Sequence, residues 1–147
     1  MIVSDLMERD VVTCHPGDNL ETAARLMWDN NCGSIPVIDE FGIPVGIVTD
    51  RDIAMSCVLN HKAPWELRVS EVTNNRPLYV CVENDDIAGA LHTMQTQRIR
   101  RLPVVNGAGR LRGIISIDDI VAHSAEQAPD LSFQDTMNTL KAVCIQH

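Results

Sequence analysis

Two four-residue stretches set a hydroxyl and a carboxylate three positions apart: Thr49-Asp50-Arg51-Asp52 and Ser116-Ile117-Asp118-Asp119. A single carboxylate can accept hydrogen bonds from two adjacent sugar hydroxyls, which is why dinucleotide-binding folds place an acid against ribose. The same spacing is also a helix-capping box, where the hydroxyl caps the first turn and the acid bonds back to the cap residue. Both readings fit these residues. Five arginines, Arg98, Arg100, Arg101, Arg110 and Arg112, crowd the approach to the second stretch. Planar guanidinium groups suit bidentate contact with phosphate. Arg100 and Arg101 are the expected anion contacts, while Arg98, Arg110 and Arg112 read as a solvated face.

The 147 residues carry 20 Asp and Glu against 12 Lys and Arg, a formal net charge of −8. That balance excludes a general nucleic-acid binder, whose phosphate contacts need clustered Lys and Arg. The charge is unevenly spread. Residues 1–66 hold 11 acids and 4 bases (−7), residues 67–120 hold 6 and 7 (+1), and residues 121–147 hold 3 and 1 (−2). A bound phosphate is therefore expected nearer Arg100 and Arg101 than any group in the first half.

No apolar run of about 18 residues exists to span a membrane, and Met1-Ile2-Val3-Ser4-Asp5 has neither the basic start nor the apolar stretch of a secretory signal. Cys14, Cys32, Cys57, Cys81 and Cys144 are odd in number and never form Cys-x-x-Cys, so free thiols and a cytoplasmic protein are expected. The histidines show no His-x-x-x-His pair. Cys14-His15 is a lone adjacency, which leaves only a minor reading as a metal- or redox-responsive site. With no nucleophile elbow and no P-loop, an enzyme is not expected.

The elements that must position these residues come from a duplication. At an offset of 67, Cys14 meets Cys81, Asp18 meets Asp85, Ala23 meets Ala90 and Met27 meets Met94. Ile35-Pro36-Val37-Ile38 meets Leu102-Pro103-Val104-Val105, and Gly46-Ile47-Val48-Thr49 meets Gly113-Ile114-Ile115-Ser116. Before residue 11 the offset is 66, with Val3-Ser4-Asp5 against Val69-Ser70-Glu71. In each repeat an apolar stripe (Leu20, Ala23, Ala24, Met27; Ile87, Ala90, Leu91, Met94) predicts a helix, with Asp18 as the expected cap of the first. Two short Val- and Ile-rich runs bounded by glycine predict a hairpin. Thr49 or Ser116 then opens a second helix. The expected order is β-α-β-β-α twice: repeat 1 over 1–60, a linker over 61–68, repeat 2 over 69–123 and a tail over 124–147. In the tail, Phe133, Met137, Leu140 and Cys144 fall on one helical stripe, which must pack back on the core or cover a partner subunit.

This order, with Gly-Ile-Val-Thr-Asp-Arg-Asp-Ile at residues 46–53, resembles the CBS (cystathionine beta-synthase) domain, as a stand-alone tandem pair of the α+β class over residues 1–123. The resemblance implies two clefts between the repeats that bind adenosyl ligands such as AMP, ADP, ATP or S-adenosylmethionine. It implies ribose contacts from Asp52 and Asp119, and ribose or phosphate contacts from Thr49, Ser116, Arg100 and Arg101. Ile35, Pro36, Leu102 and Pro103 would line the adenine slots. At the positions of Arg100 and Arg101 the first repeat has Gly33 and Ser34, so one fully equipped phosphate site is expected rather than two. The implied function is a non-catalytic sensor that needs no cofactor, pairs into a homodimer and signals to an unidentified protein partner without contacting nucleic acid or membrane. The alternative is a ligand-free dimerisation scaffold in which Asp52 and Asp119 are only caps.

Overall fold

The computed structural model describes residues 1–124 and 133–144. In chain order the elements are α1 (Val3–Leu6), α2 (Leu20–Asp29), β1 (Ser34–Ile38), β2 (Pro44–Thr49), α3 (Asp50–Asn60), a 3-10 turn (Pro64–Glu66), α4 (Val69–Thr73), β3 (Cys81–Val82), α5 (Ile87–Gln97), β4 (Arg101–Val105), β5 (Leu111–Ser116), α6 (Ile117–Ser124) and α7 (Phe133–Cys144). No helix among the described residues is long and apolar enough to cross a membrane.

The chain divides into two compact units whose membership does not follow the repeat order. One unit is Val11–Leu78, and the other joins Met1–Asp10 to Tyr79–His147. The helix heading each repeat thus packs on the other repeat's hairpin. In the second-repeat unit, Val3 and Ser4 donate their N–H groups to the carbonyls of Asp85 and Glu83 (both 2.9 Å). In the first-repeat unit, Val69 and Ser70 donate to Asp18 (2.8 Å) and Pro16 (3.0 Å). Val3-Ser4-Asp5 and Val69-Ser70-Glu71 have the same apolar and polar order, so sequence pattern alone does not say which hairpin each one covers.

Each unit has one apolar core. Leu20, Ala23 and Met27 of α2 pack with Ile35, Val37, Val48, Ile53 and Val69. Ile87, Ala90, Leu91 and Met94 of α5 pack with Val3, Leu6, Leu102, Val104, Ile115 and Ile120. The predicted stripes are therefore the buried faces, with Ala24 only partly buried. The cap of α2 lies one residue later than expected. Asn19, not Asp18, accepts the Thr22 N–H (2.8 Å), and Asp86 accepts that of Ala88 (2.9 Å). Asp18 and Asp85 instead close the preceding turns by accepting the His15 and Val82 N–H groups.

The hairpins run in matching register, Ser34 opposite Thr49 and Arg101 opposite Ser116, each with a bulge at its far end. The leading strand is shorter than expected. In the second repeat it is the two-residue β3, parallel to β4, and in the first it contracts to a single bridge between Cys14 and Val37. Glycines let the heading segments close on the hairpins. A Cβ on Gly46 would meet the Thr73 side chain at 2.8 Å, and one on Gly113 would collide with the Glu8 carbonyl oxygen.

Helix α7 packs against α5 and α6. Its buried residues are Thr136, Thr139 and Val143, with Leu140 partly buried, whereas Met137 and Cys144 of the expected stripe are exposed. Thr139 is buried with its hydroxyl satisfied within the helix: its Oγ1 donates to the Asp135 carbonyl at 2.8 Å. Residues 125–132 and 145–147 and the Phe133 side chain, also part of the expected tail, lie outside the described residues.

Candidate functional site

Each hairpin ends where its second strand turns into a helix, and this corner carries the Thr/Ser-x-x-Asp stretch. At the first corner the Thr49 N–H donates to Asp52 Oδ2 (2.9 Å) and the Asp52 N–H donates to Thr49 Oγ1 (3.1 Å). At the second, the Ser116 N–H and Oγ both donate to Asp119 Oδ2 (2.9 and 2.8 Å), and the Asp119 N–H returns to Ser116 Oγ (3.2 Å). Both boxes thus satisfy backbone groups that a helix start leaves unpaired, and both use mainly one carboxylate oxygen.

The remaining oxygens fare differently. Asp52 Oδ1 accepts from Arg76 Nη2 at 2.7 Å, and Arg76 Nη1 adds a bond to Oδ2 at 2.9 Å. This is a bidentate, charge-assisted fork. Arg76 is 51% exposed, but the Asp52 side chain beneath it is only 13% exposed. Partial burial pushes the Asp52 carboxyl upward, yet the Arg76 and Thr49 hydrogen bonds and the Arg76 charge outweigh it and hold the carboxyl below its usual range. Asp119 Oδ1 accepts no hydrogen bond among the described residues.

Arg101 stands opposite Ser116 in the β4–β5 ladder, and the Arg100 carbonyl accepts the Ile117 N–H at 2.8 Å. Both arginines therefore leave the backbone beside the first turn of α6, where the helix dipole favours an anion. The Arg100 side chain lies 3.6 Å from Asp118, an exposed pair that a phosphate can displace at small cost. At the first corner the Gly33 carbonyl accepts the Asp50 N–H in the same way (3.0 Å). A Cβ on Gly33 would sit 3.1 Å from an Asp50 carboxylate oxygen. Where the second repeat presents an arginine, the first presents an acid.

Of the residues expected to line adenine slots, Ile35 and Leu102 are fully buried in the two cores. Pro36 and Pro103 alternate to the opposite face of their strands. Arg112 pairs with Glu83 at 3.3 Å on the surface. Burial, with help from Asp18 and Asp85 respectively, pushes the Cys14 and Cys81 thiols up to about 12, which leaves them protonated and unreactive. Among the described residues no three His, Cys, Asp or Glu side chains are grouped to hold a metal ion. A cavity of about 430 Å³ opens in the first-repeat unit between Met27, Trp28, Cys32, Gly33, Asp50 and Ile53.

Arg76 had no place among the expected site residues, because it lies 24 positions from Asp52 in what reads as the lead into the second repeat. One signal marks it. At the offset of 66, its counterpart is Asp10, a reversal of charge.

A family model described as CBS domain matches residues 3–58 and 69–126. An uncharacterized protein of Methanopyrus kandleri is 31% identical over 81% of this chain. The chain spans 60% of that relative's length, and 22% of the length of the mycobacterial inosine-5'-monophosphate dehydrogenases it also matches. The crystal structure of Hypoxic Response Protein I with two coordinated zinc ions is 27% identical, with a TM-score of 0.75, over 84% of this chain and 98% of that one. The CBS domain pair of protein MJ0100, in complex with 5-methylthioadenosine and S-adenosyl-L-methionine, is 26% identical with a TM-score of 0.72 over 87% of this chain and 98% of that one.

Proposed function

This chain belongs to the CBS domain family, and we propose that it works as a non-catalytic regulatory module taking an adenosyl ligand at the second-repeat corner. The observation that carries this reading is that Asp119 Oδ1 has no hydrogen-bond partner among the described residues, beside a helix start flanked by Arg100 and Arg101. Asp119 accepts from the ribose hydroxyls, Ser116 and the α6 N-terminus face the phosphate, and Arg100 and Arg101 neutralise it. Pro103 and the neighbouring β4 backbone border the base. The adenosyl compounds bound by the MJ0100 pair support this ligand class. Occupancy shifts the conformation by the ligand's differential affinity for two states, and a partner protein reads the shift. The working form is a homodimer, supported by the outward-facing Trp28, Met55, Val58 and Leu59 on α2 and α3.

A second reading, a ligand-free dimerisation scaffold, is favoured by one observation: Asp52 is fully engaged as a cap and as the partner of Arg76. Thermal denaturation with AMP, ATP, NADH and S-adenosylmethionine separates the two. A ligand at 100 times its Kd adds about 2.7 kcal/mol, and Asp119→Ala removes that gain. If none of these compounds moves the Tm, the sensor reading falls and the scaffold stands. A monomer at micromolar concentration sinks the scaffold.

A further inference from the structure

The Arg76 fork is the part of the molecule that the proposed function leaves unused. It occupies the outward edge of the carboxylate that corresponds to Asp119. Oδ1 of Asp52 is taken by Nη2 (2.7 Å), and Oδ2 is shared between Nη1 (2.9 Å) and the Thr49 N–H (2.9 Å). A sugar diol approaching Asp52 must displace both bonds of a cationic guanidinium fork and offers uncharged donors in exchange. The strand does not reward that exchange, since Gly33 and Ser34 bring no cation and the Asp50 carboxylate lies beside Gly33.

From these contacts we propose that Arg76 is an internal competitor for Asp52 and thereby the specificity-determining residue that restricts ligand binding to the Asp119 corner. The inference rests on the adenosyl-binding reading above and deepens it. Arg76 follows α4, the helix that heads the second repeat yet packs in the first-repeat unit. The competitor is therefore delivered by the connecting segment, and its position is fixed by the seat of Thr73 on Gly46. The corresponding residue of the other heading segment is Asp10, exposed and acidic, and no ion pair reaches Asp119 among the described residues. The duplicated corners hold the same acid, and Arg76 occupies it in the first corner alone among the described residues. A corner that is open only for the fraction of time in which the fork is released binds ligand with an affinity reduced by that fraction.

Isothermal titration calorimetry with AMP, and in parallel with S-adenosylmethionine, tests the inference on the full chain. The wild-type chain takes up one ligand per chain, and Asp119→Ala abolishes that uptake. Arg76→Ala raises the stoichiometry to two, and Arg76→Gln does the same should the alanine variant fold poorly. The double variant Asp119→Ala/Arg76→Ala binds one ligand, now at Asp52. Two equivalent sites on the wild-type chain overturn the competitor, as does a single site on both Arg76 variants, and in either case the adenosyl-binding reading survives. No uptake by the wild-type or Arg76 variants overturns both together.

Discussion

At the first-repeat corner Asp52 caps α3 and is gripped by Arg76, while at the second-repeat corner Asp119 caps α6 and, among the described residues, keeps one oxygen free. The seats of the heading segments differ in parallel. Gly46 faces a side chain, that of Thr73, whereas Gly113 faces the backbone of Glu8, which also pairs with Ile114 through two hydrogen bonds of 2.9 and 3.0 Å. Within each repeat the hairpin register, cap and core stripe match. Both differences arise from the segments at residues 1–10 and 69–78, which each unit takes from the other end of the duplication. Copying a folding unit thus preserves what local hydrogen bonds and core packing require. What the exchanged segment brings to the corner is free to differ, and under the proposed function that difference makes one copy a site and the other a strut.

The largest expected effect tests the seats. Gly113→Ala pushes a methyl group into a backbone carbonyl that cannot rotate away, so the Glu8–Ile114 pairing must open. The expected loss is about 3 kcal/mol, the upper part of the range for overpacking. Gly46→Ala meets Thr73 at its Cβ (2.8 Å), which moves only with the α4 backbone that carries it, for a loss of roughly 2 kcal/mol. Urea unfolding midpoints at constant m-value compare the two. Equal losses would mean that the seats are equivalent after all.

A crossed effect is expected at the acids. Asp52→Ala and Asp119→Ala each remove a capping partner, worth about 1 kcal/mol, and Asp52→Ala also loses the half-exposed Arg76 pair, a further ~0.5 kcal/mol. Ligand binding reverses the order: Asp119→Ala abolishes AMP uptake and Asp52→Ala leaves it intact. A stability ranking that ran the other way would separate the fork from its presumed contribution.

Much of this contrast was legible in the residues. The duplication, the hairpins, both Thr/Ser-x-x-Asp boxes and the Gly33-Ser34 deficit follow from short-range pattern, and the boxes turn out to be caps in both copies. The exchange of α1 and α4 was hidden because Val3-Ser4-Asp5 and Val69-Ser70-Glu71 are interchangeable by pattern, and only tertiary packing decides between them. Arg76 was hidden by the same exchange, since its contact depends on which hairpin α4 covers. The tail helix was found but rotated, because hydrophobicity favoured Met137 and Cys144 over Thr136 and Thr139, of which Thr139 is buried while bonding to its own helix.

A smaller effect transplants the difference. Asp10→Arg puts an arginine at the counterpart of position 76, where it can compete for Asp119. AMP affinity is expected to fall by about fivefold, corresponding to roughly 1 kcal/mol at the upper end for an exposed ion pair. An unchanged Kd by calorimetry would show that the heading segments place positions 10 and 76 differently.

The smallest effect concerns acid. The folded-state pKa of Asp52 lies below its ordinary value: burial raises it, but the Arg76 fork and the Thr49 bonds lower it further. A carboxyl depressed in this way contributes stability that is fully present above the unfolded value of about 3.9 and is lost as pH falls through the folded value. With Arg76→Ala, burial is opposed by the Thr49 bonds alone, so protonation of Asp52 begins at a higher pH. Wild type should exceed Arg76→Ala by about 0.5 kcal/mol at pH 7. That gap should narrow as pH drops from about 4 and vanish once Asp52 is protonated in both chains, because a neutral carboxyl no longer attracts the guanidinium. Added salt should shrink the gap at pH 7 as well, since the fork is half exposed and screened. Urea titrations at pH 7 and pH 2.5 read the difference directly, and a gap of the same size at both would assign the contribution of Arg76 to packing of its side-chain stem rather than to its charge.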